Sequence, residues 1–262
     1  MLTIYFSGTG NTKYIAKLFS DKVGAKCLSI EADADFTSEF KAHNTIAFCY
    51  PIYGSRVPRN MREFVLKHMS DINGKKIIIL LTQMLFSGDG ARVFTDMFWE
   101  GAVKVIYAEH FFMPNNICNT PLLRHASMRK MLKCKAKAEA KMTRVCSDIK
   151  QGIVKKRGFS RLSQWLGNIQ GRAWQGDSKD DSTLAGFELR AKDGIKIHDA
   201  CKACGICTKL CPMKNLASES GRVKQLGNCI VCYRCVNRCP QKAITVLFHR
   251  RPKWQYRGIF EL

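Results

Sequence analysis

The sequence predicts an α/β domain with a doubly wound, five-stranded parallel sheet of strand order 2-1-3-4-5, followed by a second, small α+β domain rich in cysteine. Within residues 1–150, short apolar runs alternate with helix-like segments, the pattern of a parallel sheet that helices cover on both faces. Beyond them, eight of the 13 cysteines fall between positions 201 and 239. A length of 262 residues suits one large or two ordinary domains, and 46% hydrophobic residues can fill real cores.

The expected elements follow from the apolar runs in chain order. The strand candidates are Leu2–Phe6, Ala25–Ile30, Thr45–Tyr50, Lys76–Thr82 and Val103–Ala108. The helix candidates are Asn11–Val23, Pro58–Met69, Ala91–Trp99 and the long Pro121–Lys150. Five strands with helices between them match a doubly wound sheet.

The loop after the first strand carries the first chemical signal. Its sequence is Ser7-Gly8-Thr9-Gly10-Asn11-Thr12, which offers backbone N–H groups, hydroxyls and the N-terminus of a helix. Such a loop binds phosphate without Lys or Arg. It is not a Walker A loop, and Lys13 stands where a dinucleotide fingerprint would place its third glycine. The loop therefore predicts a monophosphate ligand.

Two further loops are expected at the same edge of the sheet. In the predicted strand order, ligands bind where the order reverses, between strands one and three. The loops 50–58 and 82–88 follow strands three and four, and they carry Tyr50, Tyr53 and Phe86 as rings that can stack on a planar ligand. The candidate contacts beyond the phosphate loop are Pro51, Tyr53, Gly54, Phe86 and Ser87.

With these three loops, residues 1–150 resemble the flavodoxin family. The resemblance implies bound FMN, with Ser7 to Thr12 on its phosphate and the 50–58 and 82–88 loops beside the isoalloxazine. Acidic residues are sparse around these loops, unlike the strongly acidic surfaces of free-standing flavodoxins. The resemblance thus supports the cofactor better than any particular partner.

The cysteine-rich segment contains an internal duplication. Two C-x2-C-x2-C-x3-C-P runs lie 28 residues apart at each of their four cysteines, Cys201, Cys204, Cys207 and Cys211 in the first and Cys229, Cys232, Cys235 and Cys239 in the second. This spacing is typical of bacterial ferredoxins. Zinc is the alternative, although zinc sites use isolated pairs separated by a dozen or more residues.

The segment is similar to two-cluster [4Fe–4S] ferredoxins, and the similarity implies crossed ligand sets. One cluster is expected on Cys201, Cys204, Cys207 and Cys239, and the other on Cys229, Cys232, Cys235 and Cys211. The whole layout resembles the fused flavodoxin/ferredoxin proteins of anaerobic prokaryotes. It implies electron transfer between the clusters and FMN. The alternatives are an FMN-dependent reductase of a quinone or nitro compound, and a nucleic-acid-binding iron–sulfur protein. The sequence patterns indicate no particular catalytic acid, base or nucleophile. They leave both an electron carrier and an enzyme as possible functions.

The expected domains are 1–150, a connector 151–195, a ferredoxin-like domain 196–248 and a basic aromatic tail 249–262. In the connector, Leu162, Trp165, Leu166 and Ile169 have the spacing of one helical stripe, which predicts a helix packed across the junction by this stripe.

The net charge and the lack of a long apolar segment in the sequence limit the expected partners and location. The net charge is +22, concentrated in 121–172 and 201–262. An acidic redox protein is the favoured partner, peripheral contact with an anionic membrane is an alternative, and nucleic acid is disfavoured. The N-terminus does not read as a secretory signal, and the longest aliphatic run, Ile77–Leu81, falls far short of the ~20 residues of a membrane span. A cytoplasmic location is expected, where cysteine clusters indicate metal or redox chemistry.

Overall fold

A computed structural model of the chain describes residues 1–86, 88–120, 122–123, 125–175 and 186–259. Its elements, in chain order, are β1 (Leu2–Tyr5), α1 (Asn11–Val23), β2 (Lys26–Ser29), α2 (Phe36–Lys41), β3 (Thr45–Pro51), α3 (Arg59–Lys67), α4 (Met69–Ile72), β4 (Lys76–Gln83), α5 (Gly90–Thr95), β5 (Lys104–Phe112), α6 (Met128–Lys150), β6 (Lys155–Lys156), α7 (Arg161–Gln175), α8 (Phe187–Lys192), β7 (Ile195–Ile197), α9 (Ile206–Leu210), β8 (Leu216–Glu219), β9 (Arg222–Gln225), α10 (Arg234–Arg238) and β10 (Ile244–Val246).

The N-terminal sheet confirms the predicted fold class. Within the described residues it has six parallel strands in the order β2-β1-β3-β4-β5-β6. The first five follow the predicted order, and the sixth is a two-residue strand, Lys155–Lys156, supplied by the predicted connector. Strand β4 is buried along almost its whole length, as expected for a parallel strand that is covered on both faces. No helix in the described ranges is long and apolar enough for a membrane span.

Two helical layers cover the sheet. Helices α1 and α6 pack on one face through residues such as Phe19 and Met142. Helices α3 and α5 pack on the other face through residues such as Met61 and Phe94. This double layer leaves the carboxyl ends of β1, β3 and β4 at one open edge, where the three predicted loops lie.

The predicted end of strand five at Ala108 is wrong, because β5 continues to Phe112. The polar pair Glu109 and His110 looks like the end of a strand in sequence, but both side chains are buried. Glu109 accepts hydrogen bonds from the His110 N–H at 2.9 Å and from Arg157 at 3.0 Å, and it pairs with Lys155 at 3.0 Å. Burial alone would raise the pKa of Glu109, but the His110 N–H and the nearby Lys155 and Lys141 lower it to about 2. Neighbouring cations thus hold a carboxylate inside the strand.

Several predicted helix bounds are also corrected. The final helix begins at Met128 rather than Pro121, because Ser127 caps it by accepting a hydrogen bond from the Lys130 N–H at 3.4 Å. Pro121 itself lies outside the described residues. Helices α3 and α5 end at Lys67 and Thr95, before the predicted ends, and the short helix α2 was not predicted.

Helix α7 lies within residues 151–195, but most of the predicted apolar stripe does not form its packing face. Leu162, Trp165 and Ile169 are 66%, 60% and 53% exposed. The packed face instead carries Gly167 and Gly171, where a Cβ would collide with the side chains of Asp89 and Arg56 respectively. Two glycines on one face allow closer contact with the sheet domain than the apolar stripe would.

The cysteine-rich domain repeats its own backbone. Helices α9 and α10 are offset by 28 residues, as are the left-handed pairs Ala203 and Val231, Gly205 and Tyr233, and Lys214 and Lys242. The remaining strands pair as two antiparallel ribbons, β10 with β7 and β8 with β9. The duplication seen in the sequence is therefore also a duplication of the backbone structure. The domain boundaries given above stay predictions.

Lowering the pH from 7 to 5 is expected to destabilise the folded chain through His110. Burial, with the charge of Arg157 adding to it, lowers the pKa of His110 to about 4 in the folded protein. An unfolded histidine titrates near pH 6.5, so below that value the unfolded chain gains the additional proton first. The contribution of neutral His110 to the free energy of unfolding is fully present above pH 6.5, and about 2 kcal/mol of it is lost by pH 5.

Denaturant titrations at pH 7 and pH 5 measure this loss. The loss should shrink in His110→Asn and persist in the control His249→Asn, which changes an exposed histidine. An unchanged pH dependence in His110→Asn would contradict the assignment.

Candidate functional site

A cavity of about 500 Å³ lies at the carboxyl ends of the strands. All three predicted loops contribute to its walls. The predicted site residues that line it are Ser7, Gly8, Thr9, Asn11, Thr12, Pro51, Tyr53, Gly54 and Phe86. Gly10 lines a neighbouring cavity instead, and Ser87 lies outside the described residues. The structure thus brings most of the predicted residues to one place.

The phosphate loop is ordered by its own hydroxyls. Gly10 adopts a left-handed φ of 102° and donates its N–H to Ser7 Oγ at 3.1 Å, which turns the chain into α1. Thr12 Oγ1 hydrogen-bonds Thr82 Oγ1 at 2.7 Å, which joins the loop to the end of β4. No acidic residue occupies the first turn of α1, so nothing in that turn neutralises the positive end of the helix dipole. This environment suits a phosphate group.

The three aromatic candidates separate in the structure. Tyr50 is fully buried, stacks on Phe94 and donates its hydroxyl to the Gly90 carbonyl at 3.1 Å, so it belongs to the core. Tyr53 and Phe86 both line the cavity, and Phe86 is 66% exposed. Two of the three rings are therefore available to a planar ligand.

The cavity has two walls that sequence reasoning missed. One wall comes from α7, through Gln170, Ala173 and Trp174. Trp174 lies against the Tyr53 ring, with ring centroids 5.7 Å apart, and a Cβ on Gly54 would collide with it. The other wall comes from the cysteine-rich domain, through Val231, Tyr233, Leu247 and Phe248. The sequence signals were Trp174 in a polar connector and Tyr233 inside a cysteine run, but neither indicates a partner by itself.

The cysteine-rich domain also packs directly on the phosphate loop. A Cβ on Gly8 would collide with the backbone carbonyl of Cys232, so only glycine permits this approach. Arg234 donates to the carbonyls of Ser7 at 2.8 Å and Gly8 at 3.1 Å. It also pairs with Glu31 at 2.7 Å. Arg234 therefore joins the second cysteine loop to the loop that precedes α1.

The first predicted ligand set lies around one small cavity. Cys201, Cys204, Cys207 and Cys239 line it together, although Cys239 belongs to the second run. Burial raises the pKa of Cys207 to about 11, and the nearby Cys201 and Cys239 add to the effect.

The cysteines of the second predicted set also influence one another's pKa values. Burial raises the pKa of Cys229 to about 12, and Cys232 and Cys211 raise it further. Burial also raises the pKa of Cys235, with contributions from the other three members of this set and from Cys207 of the first set. Within the described ranges, no three His, Cys, Asp or Glu side chains have the geometry of a single-ion site.

The backbone around these thiols suits anionic sulfur. The N–H groups of Asn215, Val231 and Ala243 donate to the sulfurs of Cys211, Cys229 and Cys239 at 3.2, 3.3 and 3.3 Å. Hydrogen bonds to cluster sulfurs are one way in which a protein adjusts reduction potential. Val231 and Tyr233 both adopt a left-handed φ of 59°, a strained conformation for such side chains. Soft thiol donors on tightly wound loops fit an iron–sulfur cluster.

Comparison with known families agrees with both halves of the chain. Residues 2–139 match the flavodoxin domain family, and residues 194–246 match the 4Fe-4S dicluster domain family. These matches confirm the two family resemblances drawn from the sequence. They indicate a flavin and an iron–sulfur cluster in one chain, with electron transfer as its class of function.

Solved flavodoxin structures are similar at low identity. The two-electron reduced flavodoxin of Megasphaera elsdenii has 18% identity and a TM-score of 0.38, covering 55% of this chain and 99% of that one. Oxidised flavodoxin 2 of Bacillus cereus has 19% identity and a TM-score of 0.35, covering 53% and 97%. Comparison with curated proteins finds no matching relative.

Proposed function

We propose that this chain, which belongs to the flavodoxin domain family and carries a 4Fe-4S dicluster domain behind it, passes electrons between two [4Fe–4S] clusters and a bound FMN. Iron–sulfur clusters move single electrons and a flavin accepts one or two, so together they link one-electron carriers to two-electron chemistry. The chain itself supplies binding, burial and spacing, and no side chain is assigned to proton transfer.

For FMN, the proposed phosphate contacts are the backbone and hydroxyl groups of residues 7–12, at the N-terminus of α1. Tyr53 and Phe86 are the proposed ring contacts, with Pro51 and Gly54 beside them. The support for this assignment is the cavity of about 500 Å³ that these residues share. Gln170 and Trp174 from α7 complete one wall of this cavity.

We propose that each cluster is held by three cysteines of one run and the fourth cysteine of the other run. Cys201, Cys204, Cys207 and Cys239 hold one cluster, and Cys229, Cys232, Cys235 and Cys211 hold the other. The supporting observation is that members of each set lie near one another, across the two sequence runs.

The observation that carries the function is the shared wall between the second cysteine loop and the flavin cavity. Val231 and Tyr233 flank Cys232 in sequence, and both line the cavity. Tyr233 is held there because its hydroxyl donates to Asn119 Oδ1 at 3.0 Å. Gly8, which also lines the cavity, packs on the Cys232 carbonyl. A cluster on this loop would lie beside the cavity proposed for the flavin.

Anaerobic purification followed by iron, sulfide and flavin assays tests the proposal. We expect about eight iron, about eight sulfide and one FMN per chain. A colourless protein, or one that contains zinc in place of iron, would overturn it. Steady turnover of a quinone or nitro compound with saturating reductant would instead favour a small-acceptor reductase.

Replacing Thr9 and Thr12 with valine is expected to weaken flavin binding while iron content stays unchanged. Hydrogen bonds to a charged group are worth about 1.5–3 kcal/mol, so losing two hydroxyls should raise the dissociation constant by about a hundredfold or more. Fluorescence titration of the flavin-depleted protein measures it. Thr37→Val with Thr143→Val removes two hydroxyls outside the cavity and serves as the control. Undiminished flavin affinity in the first variant would remove the phosphate-loop assignment.

A further inference from the structure

The two cysteine sets differ in their access to solvent. Each set has two buried cysteines, but Cys204 of the first set is exposed, whereas Cys211 and Cys235, the least buried members of the second set, are half-buried. The second set adjoins the flavin cavity through Val231 and Tyr233, as described above. On the proposed function, on which this inference rests, the first set therefore holds the outer cluster and the second set holds the inner one.

Exposed cations and one apolar side chain lie on the segments that carry or adjoin the outer cysteines. Lys202 and Ile206 line the same small cavity as the four outer cysteines, and Ile206 is 39% exposed. Lys209 is exposed and lies one turn beyond Ile206 on α9, on the same face of the helix. Arg251 donates to the Gln241 carbonyl at 2.9 Å, and Gln241 lines that cavity as well. We call Lys202, Ile206, Lys209 and Arg251 the outer patch.

The local charge around the outer patch is positive. Between residues 196 and 211 the sequence has three lysines and one acidic side chain, Asp199. On the neighbouring hairpin, Glu219 is paired with Lys224. A positive surface around an exposed redox ligand raises the encounter rate with negatively charged proteins. It also disfavours encounters with other basic proteins.

We propose that the outer patch is the docking surface for an acidic one-electron carrier protein. Ile206 provides an exposed apolar contact, and Lys202, Lys209 and Arg251 provide exposed positive charges, a mixture that transient protein interfaces use. In the direction of flavin reduction, each encounter oxidises the carrier by one electron and reduces the outer cluster by one. Two encounters supply the two electrons that the flavin accepts. The opposite direction uses the same contacts.

The experiment measures binding rather than turnover. The probe is a small, acidic [2Fe–2S] ferredoxin, and its dissociation constant is measured by calorimetry with the cofactor-loaded chain at low ionic strength. Lys202→Glu with Lys209→Glu should weaken binding by about tenfold or more and reduce its dependence on salt. The control is Lys133→Glu with Lys137→Glu on α6, which changes the net charge by the same amount at two exposed lysines. It should change binding by less than about twofold.

Lys202 lies between two proposed ligands, so Lys209→Glu alone is the second variant, and it should weaken binding by about threefold. Equal losses in the patch and control variants would overturn the proposal, as would no binding of ferredoxin by the unaltered chain. Patch-dependent binding to anionic vesicles or to DNA, without binding to ferredoxin, would also overturn it. Iron, sulfide and flavin contents distinguish a failure of the proposed function from a failure of the docking proposal. Missing cofactors contradict the proposed function, whereas failed docking by a fully loaded chain contradicts the outer patch alone.

Discussion

Replacing Cys239 with serine is expected to remove about half of the iron, from about eight to about four per chain. Cys239 ends the second cysteine run, but its side chain lines the same cavity as Cys201, Cys204 and Cys207. Its position is fixed by the Ala243 N–H, which donates to its sulfur at 3.3 Å, and by Gln255, which donates to its carbonyl at 2.7 Å. Losing this ligand should therefore remove the outer cluster and leave the inner one.

Double variants show which cluster is lost. Adding Cys201→Ala to Cys239→Ser should cost no further iron, because both residues are assigned to the outer cluster. Adding Cys229→Ala to Cys239→Ser should instead remove nearly all of the remaining iron. Cys134→Ser is the control, since its thiol lies outside both sets and donates to the Phe112 carbonyl at 3.0 Å. The opposite pattern, with Cys229→Ala costing nothing further, would establish uncrossed ligation.

Replacing Arg234 with methionine is expected to loosen the contact between the two domains. The guanidinium donates to the carbonyls of Ser7, Gly8 and Leu210 and pairs with Glu31, and only 19% of its side chain is exposed. Breaking buried pairs costs 3–5 kcal/mol, but Glu31 is 31% exposed. We therefore expect a loss of about 2 kcal/mol in the free energy of unfolding.

The matched control for this variant is Arg238→Met, one helical turn further along α10. Arg238 donates to the Arg257 carbonyl at 3.0 Å in a solvent-exposed contact, so its loss should cost less than about 0.5 kcal/mol. Flavin reduction through the clusters should slow in Arg234→Met and stay unchanged in Arg238→Met. Equal stability and equal rates in the two variants would show that Arg234 does not hold the junction.

Local patterns in the sequence predict the parts of this protein that are themselves local. The alternation of strands and helices follows from the apolar runs, and the duplication follows from two cysteine runs with a constant offset of 28. The phosphate loop follows from glycines and hydroxyls between a strand and a helix. Each of these features is determined by residues close together in the chain.

The features that the sequence did not predict depend on contacts between distant segments. Glu109 is tolerated in β5 because Lys155 and Arg157 approach from the next strand, and no local pattern contains that information. In α7, the apolar stripe predicts a packing face, but Gly167 and Gly171 permit closer contact on the other face. The flavin cavity receives Val231 and Tyr233 from a domain more than 200 residues away from the phosphate loop. Only the folded structure brings these residues together.

Electron transfer from the clusters to the flavin is tested by the rate of flavin reduction by a reduced ferredoxin, measured in the unaltered chain and in Cys211→Ser. A folded ferredoxin does not enter a cavity of about 500 Å³, and the proposed path for its electrons runs through the clusters. Cys211 belongs to the proposed inner set, and its loss should leave FMN content unchanged while slowing flavin reduction by at least about tenfold. An undiminished rate, with the inner cluster absent and FMN fully bound, would contradict a path through that cluster.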